Sequence, residues 1–332
     1  MHAIVDMSAV HFLEQLAAEV ANLELSLGRK LVVIAESDLN DPRLVRSPEV
    51  GGFGLHAQWN DDFHHALHAV LTGERQGYYE DFGQLADLAR ALTHGFVYEG
   101  QPSRFRGRRH GRPATGLSGH RFVAFAQNHD QVGNRACGER SSQLMSPERL
   151  KIAAALVLTS PFVPLLFQGE EWGASSPFQY FVDHEDDDLA RAVRDGRRQE
   201  FAAFGWPAED VPDPQALETF ERSRLDWSER HKDAHADLLA WYRDLIALRR
   251  ETRDLVDGRL ARGTVEHSER DRWLAMRRGR FVVVCNLAAR GQRVPVRLPA
   301  YAGLRLASTS AVALRADGID LPPDSVAIVE GE

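Results

Sequence analysis

The fold is decided by the stretch Phe122-Val123-Ala124-Phe125-Ala126-Gln127-Asn128-His129-Asp130. In it, an apolar run of five residues is followed directly by four polar residues. A short apolar run with polar boundaries is typical of a strand buried in a parallel sheet. Similar runs occupy residues 31–35, 53–57 and 163–167. Apolar residues at helical spacing predict helices around these runs, at residues 8–25, 61–71, 82–92 and 146–158. Strands that alternate with helices in this way favour a parallel sheet covered by helices.

Two architectures contain such a sheet, the (β/α)8 barrel and the open doubly wound sheet. An open nucleotide-binding sheet needs a glycine-rich first turn, and no such turn follows any of the four runs, so the barrel is favoured. A complete barrel has eight strands, whereas four strand and helix units precede the predicted helix 233–250. After it, the apolar runs 273–276 and 281–285 are typical of antiparallel strands. We therefore expect an α/β fold in which residues 1–252 form the C-terminal half of a (β/α)8 barrel and residues 253–332 form a small all-β sandwich.

The composition is that of a protein that folds in water. Of the 332 residues, 43% are hydrophobic and 27% are charged, and the mean hydropathy is -0.35. These values exclude a disordered or membrane-embedded chain. A net charge of -8 disfavours nucleic acid as a partner, and the amino terminus has neither the basic nor the apolar segment of a secretion signal. The expectation is a cytoplasmic protein with no nucleic-acid and no membrane partner.

Two carboxylates follow predicted strands, where a barrel enzyme carries its catalytic groups. Glu36 follows the run 31–35, and Asp130 follows the run 122–126 after three polar residues. Two acidic side chains in one mouth are what glycoside cleavage requires, one to protonate the leaving oxygen and one to stabilise the positive charge that develops on the sugar. The alternative is that both acids cap loops or helix N-termini, which is a common role for acids in these positions.

Six segments, in order along the chain, resemble the malto-oligosyltrehalose trehalohydrolases, a family of the α-amylase superfamily (glycoside hydrolase family 13). Two of them surround the carboxylates described above, at residues 35–41 (AESDLND) and 127–135 (QNHDQVGNR). The other four are residues 58–65 (QWNDDFHH), 77–83 (GYYEDFG), 105–111 (FRGRRHG) and 167–173 (FQGEEWG). A single His-Asp pair is common in proteins, whereas six ordered segments are specific to a family.

The resemblance implies hydrolysis, with retention, of the α-1,4-glucosidic bond next to the terminal trehalose of malto-oligosyltrehalose, a reaction that needs no cofactor and no metal. Glu36 would be the general acid and base, and Asp130 would hold sugar hydroxyls and stabilise the transition state. His129 would hydrogen-bond the glucose ring at the cleavage site. The further candidates for binding the α-1,4-glucan are Asn128, Trp59, Asp61, Tyr78, Phe105 and Arg106.

The chain departs from the family at its first residues. The resemblance places the nucleophilic aspartate in a segment that reads Arg-x-Asp-Ala-Val-His-Ala-Ile, and this chain opens Met1-His2-Ala3-Ile4. If His2 is the family's histidine, the nucleophile lies two residues before Met1. We therefore expect a chain that is truncated at its N-terminus, or whose start codon is misassigned, and that lacks the nucleophile as given.

Several candidates also have a purely structural interpretation. Trp59 and Tyr78 present flat faces on which sugars stack, but large aromatic residues are common in protein cores. The Arg-rich loop 104–116 is expected to overhang the mouth, although it also resembles a phosphate-binding patch. The three histidines of the predicted helix 61–71 fit a polar helix face beside a cleft better than a metal site. Glu170 and Glu171 are expected either to be structural or to lie just outside the site. A branching enzyme of the same superfamily and an inactive glucan-binding fragment are the alternative functions.

Overall fold

The computed structural model describes residues 4–203, 207 and 211–332, and the chain forms two compact units. The first unit contains the chain up to Phe125, together with Ile152–Leu165 and Leu245–Glu332. The second unit contains Ala126–Lys151 and Leu166–Asp244. The assignment of His2 to the family's histidine concerns a residue that lies outside the described ones.

The helices of the described residues are α1 (Phe12–Leu27), α2 (Asp61–Thr72), α3 (Leu85–His94), α4 (His129–Gly133), α5 (Ser141–Leu144), α6 (Pro147–Thr159), α7 (Asp187–Ala203), α8 (Leu217–Arg222), α9 (Asp233–Glu251) and α10 (Arg253–Val256). The strands are β1 (Ile34–Ala35), β2 (Ala57–Trp59), β3 (Glu99–Ser103), β4 (Arg108–Gly111), β5 (Phe122–Ala124), β6 (Val163–Pro164), β7 (Gly263–Ser268), β8 (Trp273–Arg278), β9 (Phe281–Asn286), β10 (Gln292–Val294), β11 (Gly303–Ala307), β12 (Ala313–Arg315), β13 (Gly318–Leu321) and β14 (Ser325–Glu330). None of these helices combines the length and the apolar character that crossing a membrane requires.

The first unit contains a parallel sheet, whose four strands lie in the order β1-β2-β5-β6. Gln58 of β2 pairs with Ala35 of β1 on one side and with Phe122 of β5 on the other. Spatial order therefore follows chain order, as in the wall of a barrel, whereas a doubly wound sheet reverses its strand order at a switch point. The predicted barrel architecture is confirmed for these four strands.

The strands are shorter than the apolar runs that predict them, and the second run is mostly a loop. The sequence predicts a strand at residues 53–57, but β2 begins only at Ala57. The Phe53 amide donates instead to the Arg43 carbonyl at 2.7 Å, which folds this part of the run against the turn before it. The prediction of a strand at residues 53–56 is therefore wrong, because hydrogen bonds to a neighbouring loop replace the ladder.

The first helix also begins later than predicted. The apolar period places its start at residue 8, but α1 begins at Phe12. The Asp6 carboxylate accepts hydrogen bonds from the Ser8 amide at 2.9 Å and from the Phe12 amide at 2.6 Å, which holds the intervening residues in a turn. The His11 imidazole then accepts from the Leu13 amide at 3.1 Å and caps the helix. Helices α6 and α9 agree with the predicted segments to within one residue.

Two antiparallel sheets follow α10 within the first unit, in the orders β11-β14-β9-β8-β7 and β10-β13-β12. Their shared core contains Val284 and Val329 from the larger sheet and Ile319 from the smaller one, all fully buried. The predicted all-β sandwich is therefore confirmed. Its predicted boundary between residues 252 and 253 falls at the start of α10 and stays a prediction.

The sandwich is hydrogen-bonded to helices of the same unit. The Ala86 amide in the first turn of α3 donates to the Glu269 carboxylate at 2.9 Å. The buried guanidinium of Arg278 donates to the Thr159 carbonyl at the end of α6, at 3.2 Å. A buried cation must be well hydrogen-bonded, and this contact attaches the sandwich to the end of α6.

The second unit is organised by Arg140, whose side chain is fully buried. Its guanidinium donates to the Ser176 carbonyl at 2.6 Å and to the Gln168 carbonyl at 2.7 Å. It also lies over the ring of Phe167, 5.1 Å from the ring centre. One side chain thus orders the loop that follows residue 166, and its burial lowers the pKa of Arg140 to about 10.

Candidate active site

Glu36 lies at the carboxyl edge of the parallel sheet, as the sequence predicts, and Trp59 lies at the same edge. Ala35, the last residue of β1, pairs with Gln58 of β2. Glu36 therefore follows β1 directly, and Trp59 is the last residue of β2. The Glu36 side chain is exposed, and the Trp59 indole is half-buried against Phe125 with ring centres 5.8 Å apart. Since catalytic groups of barrel enzymes project from this edge, both residues occupy positions that suit a site.

Asp61 begins helix α2, and its neighbour Asp62 has a structural role that the sequence did not indicate. Asp62 is buried, and its Oδ2 accepts hydrogen bonds from the side chain of Asn40 at 2.7 Å and from the backbone amides of Val97 and Tyr98 at 2.7 and 2.8 Å. Burial raises the pKa of this carboxyl to about 6, although the hydrogen bonds act in the opposite direction. The contacts fix the segment after Glu36 against the start of β3.

The predicted loop 104–116 contains a strand, β4, which forms a hairpin with β3. Phe105 and Arg106 lie in the turn of this hairpin. The Arg106 guanidinium forms an ion pair with Asp38, 2.9 Å between Nη2 and Oδ2, and its side chain is largely buried. His110 donates from Nε2 to the Asp38 carbonyl at 2.7 Å. Because Asp38 is two residues after Glu36, these contacts attach the hairpin to the segment that carries the candidate acid.

The histidines of α2 pack against the two tyrosines that follow it. The ring of His65 stacks on Tyr78 with centres 4.8 Å apart, and His64 Nε2 lies 3.0 Å from the Tyr79 hydroxyl. Burial lowers the pKa of His65 to about 3, so its imidazole is neutral at physiological pH. In the part of the chain that the structure describes, no group of three or more His, Cys, Asp or Glu side chains is arranged to hold a metal ion.

Asn128, His129 and Asp130 form the start of helix α4 in the second unit. The buried Asn128 side chain caps the helix, since its Oδ1 accepts from the Asp130 amide at 2.8 Å, and it thereby orients the two exposed residues that follow. Asn134 donates from Nδ2 to Asp130 Oδ1 at 2.8 Å. Arg197 of α7 in turn donates to Asn134 Oδ1 at 3.1 Å, which fixes the orientation of the amide. Asn134 and Arg197 are therefore contacts of the candidate site that sequence reasoning missed.

Glu170 is buried in the second unit, and hydrogen bonds hold its carboxyl group in place. It accepts hydrogen bonds from the Tyr242 hydroxyl at 2.8 Å and from the Phe167 amide at 3.3 Å. Burial raises the pKa of its carboxyl to about 7.

The candidates fall into both compact units. Those in the first unit are Glu36, Trp59, Asp61, Tyr78, Phe105 and Arg106, and those in the second are Asn128, His129 and Asp130. A common mouth for Glu36 and Asp130 stays a prediction. Sequence reasoning also missed Asp38 and Asp81, although both lie inside segments that resemble the family and are acidic residues next to candidates.

Known proteins similar to this chain cover it almost completely. A domain family described as a domain of unknown function (DUF3459) matches residues 258–328. A malto-oligosyltrehalose trehalohydrolase of Mycobacterium tuberculosis (strain CDC 1551 / Oshkosh) is 51% identical over 298 residues, which are 89% of this chain and 51% of that protein. One from Arthrobacter ramosus is 48% identical over 339 residues, 100% of this chain and 56% of that protein. The chain thus spans about half the length of the curated relatives it matches.

Solved structures of similar fold also match almost the whole chain. A structure from Salmonella typhimurium, provisionally named an alpha amylase, is 36% identical and has a TM-score of 0.82 over 99% of this chain and 56% of that one. An alpha-amylase from H. orenii is 17% identical with a TM-score of 0.56, over 96% of this chain and 56% of that one, and shares the fold. Together with the sequence relatives, these findings mean that the chain belongs to the malto-oligosyltrehalose trehalohydrolase family of the α-amylase superfamily.

Proposed function

We propose that this chain contributes the acid/base carboxylate and the sugar-binding surface of a retaining glycoside hydrolase that acts on malto-oligosyltrehalose. The bond cut is the α-1,4-glucosidic bond next to the terminal trehalose, and trehalose is released. The observation that carries the proposal is the 51% identity, over 89% of the chain, to a protein named malto-oligosyltrehalose trehalohydrolase. The position of Glu36 directly after β1 supports it, because barrel enzymes carry their catalytic groups there.

In this proposal Glu36 donates its proton to the glycosidic oxygen as the bond breaks. It then takes a proton from the water that releases the sugar from the enzyme, as the same residue does in retaining glycosidases generally. Asp130 holds sugar hydroxyls and stabilises the charge that develops in the transition state. The hydrogen bond from Asn134 to one oxygen of Asp130 supports this role, because it limits the rotation of the carboxylate.

The glucan-binding surface proposed for the first unit combines aromatic faces with polar groups. Phe105 is 45% exposed at the tip of the hairpin, and Tyr78 is stacked on His65, which leaves the tyrosine ring in a defined orientation. Trp59 adds a third ring at the sheet edge. Sugar sites commonly combine aromatic rings with a few well-placed polar groups, which Asp61 and Arg106 supply here.

A retaining mechanism also needs a nucleophilic carboxylate, and neither Glu36 nor Asp130 has that role in the proposal. We propose that the nucleophile is supplied by a segment outside these 332 residues. The chain as given would then bind glucan without cleaving it. The genomic reading frame upstream of Met1 tests this point, because an in-frame Arg-x-Asp-Ala segment joined to His2 is the expected finding and a stop codon is the contrary one.

The function is tested with the full chain in two measurements. Calorimetry with maltotetraose is expected to give heat of binding, which Tyr78→Ala reduces and Tyr301→Ala, an 85% exposed tyrosine of the sandwich, leaves unchanged. Incubation with malto-oligosyltrehalose is expected to release no trehalose. Trehalose release would overturn the proposal of an external nucleophile, whereas new branch points on an α-glucan would identify a branching enzyme instead. Absence of binding heat would contradict the glucan-binding surface.

A further inference from the structure

Asp81 lies between the two turns that carry candidate sugar-binding rings. It follows the Gly77–Tyr79 turn, which contains Tyr78, and its carboxylate accepts hydrogen bonds from the turn that carries Phe105. We propose that Asp81 is a positioning residue that holds these two turns together as one wall of the sugar-binding surface. This inference rests on the proposed function and assigns a role within it to a residue that does not itself bind sugar.

The geometry around Asp81 is that of a carboxylate used to order backbone. The hydroxyls of Tyr98 and Ser103 both donate to Oδ2 at 2.6 Å. The amides of Arg104 and Phe105 donate to Oδ1 at 3.0 Å and to Oδ2 at 3.3 Å. Hydrogen bonds to an ionised acceptor are roughly twice as strong as neutral ones. Four of them converge on this carboxylate, and those from Arg104 and Phe105 come from the hairpin turn itself.

The electrostatics agree with an ionised Asp81. Partial burial raises the pKa of its carboxyl, but the hydrogen bonds from Ser103 and Tyr98 outweigh this effect and lower the pKa below its ordinary value. The carboxylate is therefore ionised at neutral pH, where it can accept all four hydrogen bonds.

The same network reaches Arg106 and the segment of the candidate acid. Ser103 Oγ, which donates to Asp81, accepts a hydrogen bond from the Arg106 amide at 3.1 Å. The Arg106 guanidinium continues to Asp38, 2.9 Å away. Removing the Asp81 carboxylate would thus loosen Phe105 directly and Arg106 through Ser103. Because Phe105 is 45% exposed, little apolar packing would replace the lost hydrogen bonds.

Limited proteolysis tests the positioning role independently of sugar binding. The turn contains Arg104 and Arg106, so trypsin cleavage in the native full chain reports its opening. In Asp81→Ala we expect cleavage at these residues to be about tenfold faster than in the unmodified protein, since the turn loses its charge-assisted hydrogen bonds. Glu80→Ala removes the same charge one residue earlier and is expected to leave the rate unchanged. Cleavage of Asp81→Ala at the unmodified rate would overturn the inference.

Should Asp81→Ala fail to fold, Tyr98→Phe and Ser103→Ala each remove one donor hydroxyl and provide the same test. Both are expected to accelerate cleavage at Arg104, and Ser103→Thr, which keeps the hydroxyl, is expected to restore the slow rate. A purely structural contribution to overall stability would instead accelerate cleavage throughout the chain. Unchanged cleavage in both hydroxyl variants, or acceleration that is equal at all sites, would overturn the positioning role.

A double-mutant cycle with maltotetraose binding as the readout then tests whether Asp81 positions Phe105 for the ligand. Phe105→Ala is expected to weaken binding clearly in the unmodified protein and much less in the Asp81→Ala background, because the ring is already misplaced there. Additive effects would contradict the inference. If no variant, including the unmodified protein, binds maltotetraose, the proposed function fails, and the proteolysis result alone decides whether Asp81 holds the turn.

Discussion

Replacing Glu170 by Gln should alter how the stability of this protein depends on pH. Glu170 is buried and its pKa is raised to about 7 from an ordinary value of 4.5, with desolvation as the main cause. The unfolded chain loses this proton near pH 4.5, whereas the folded chain retains it until about pH 7. The unfolded state therefore binds fewer protons between these values, and the free energy of unfolding falls as the pH rises through this window.

The size of the effect follows from the displacement of the pKa. A difference of about 2.5 pH units corresponds to about 3 kcal/mol in total, and about 2.5 kcal/mol of it is expressed between pH 5 and pH 8. Gln has nearly the same shape and can still accept the hydrogen bond from the Tyr242 hydroxyl, but it cannot ionise. Relative to the unmodified protein, Glu170→Gln should thus gain about 2.5 kcal/mol of stability on going from pH 5 to pH 8.

The assay is denaturant unfolding at pH 5 and pH 8. Tryptophan fluorescence is a suitable signal, because Trp172 is buried in the same unit with its ring centre 5.1 Å from that of Trp227. Glu185→Gln, at an exposed acidic residue of the second unit, serves as the control and should change the two free energies equally. Parallel pH profiles for Glu170→Gln and the unmodified protein would refute the reasoning, since the buried carboxyl would then carry no displaced pKa.

Three further outcomes are expected. Asp62→Ala should lower the free energy of unfolding by about 2–4 kcal/mol, because three buried donors lose their acceptor. The neighbouring substitution Asp61→Ala should lower it by less than about 1 kcal/mol. Equal effects of the two substitutions in urea unfolding would contradict this expectation. The NMR signals of the His65 ring protons should not change with pH between 5 and 8 in the folded protein. The free energy of unfolding should fall as the pH drops from about 6.5 toward 3, because only the unfolded chain then takes up a proton at this histidine. A titration midpoint near pH 6.5 in the folded state would show that the imidazole is solvated. Val284→Ala in the sandwich core should cost about 1–3 kcal/mol in the same unfolding assay, and a negligible cost would mean that the two sheets do not pack on this residue.

Much of the fold could be predicted from local patterns. Helices α6 and α9 lie within one residue of the segments 146–158 and 233–250 that the sequence predicts, because a helix satisfies its own hydrogen bonds along the chain. The strand at residues 53–57 could not be predicted correctly, since a strand exists only where a neighbouring strand accepts its hydrogen bonds. The Phe53 amide donates to the Arg43 carbonyl in a loop, and an apolar run by itself does not show whether its amides bond to a loop or to a strand.

The candidate site also contains residues that the sequence predicts and residues that it does not. Glu36, Asp130 and the aromatic residues could be named as candidates because each lies in a segment whose residue order resembles a family. For Glu36 and Asp130, the position after a predicted strand also places the side chain at the carboxyl edge of a sheet. The roles of Asp38 and Asp81 could not be found. Asp38 forms an ion pair with Arg106, which lies 68 residues further along the chain. Asp81 accepts a hydrogen bond from the hydroxyl of Ser103, which lies 22 residues further along.

By itself, the sequence determined the family, the alternation of strands and helices, and the chemical identity of the residues at the strand ends. Only the tertiary structure decided the strand order β1-β2-β5-β6, the late start of β2 and the attachment of the Phe105–Arg106 turn to Asp38 and Asp81. The physical reason is the range of the interactions. Helical hydrogen bonds and side-chain periodicity act over a few residues, whereas ladder hydrogen bonds and buried ion pairs depend on distant parts of the chain that folding brings within about 3 Å of each other.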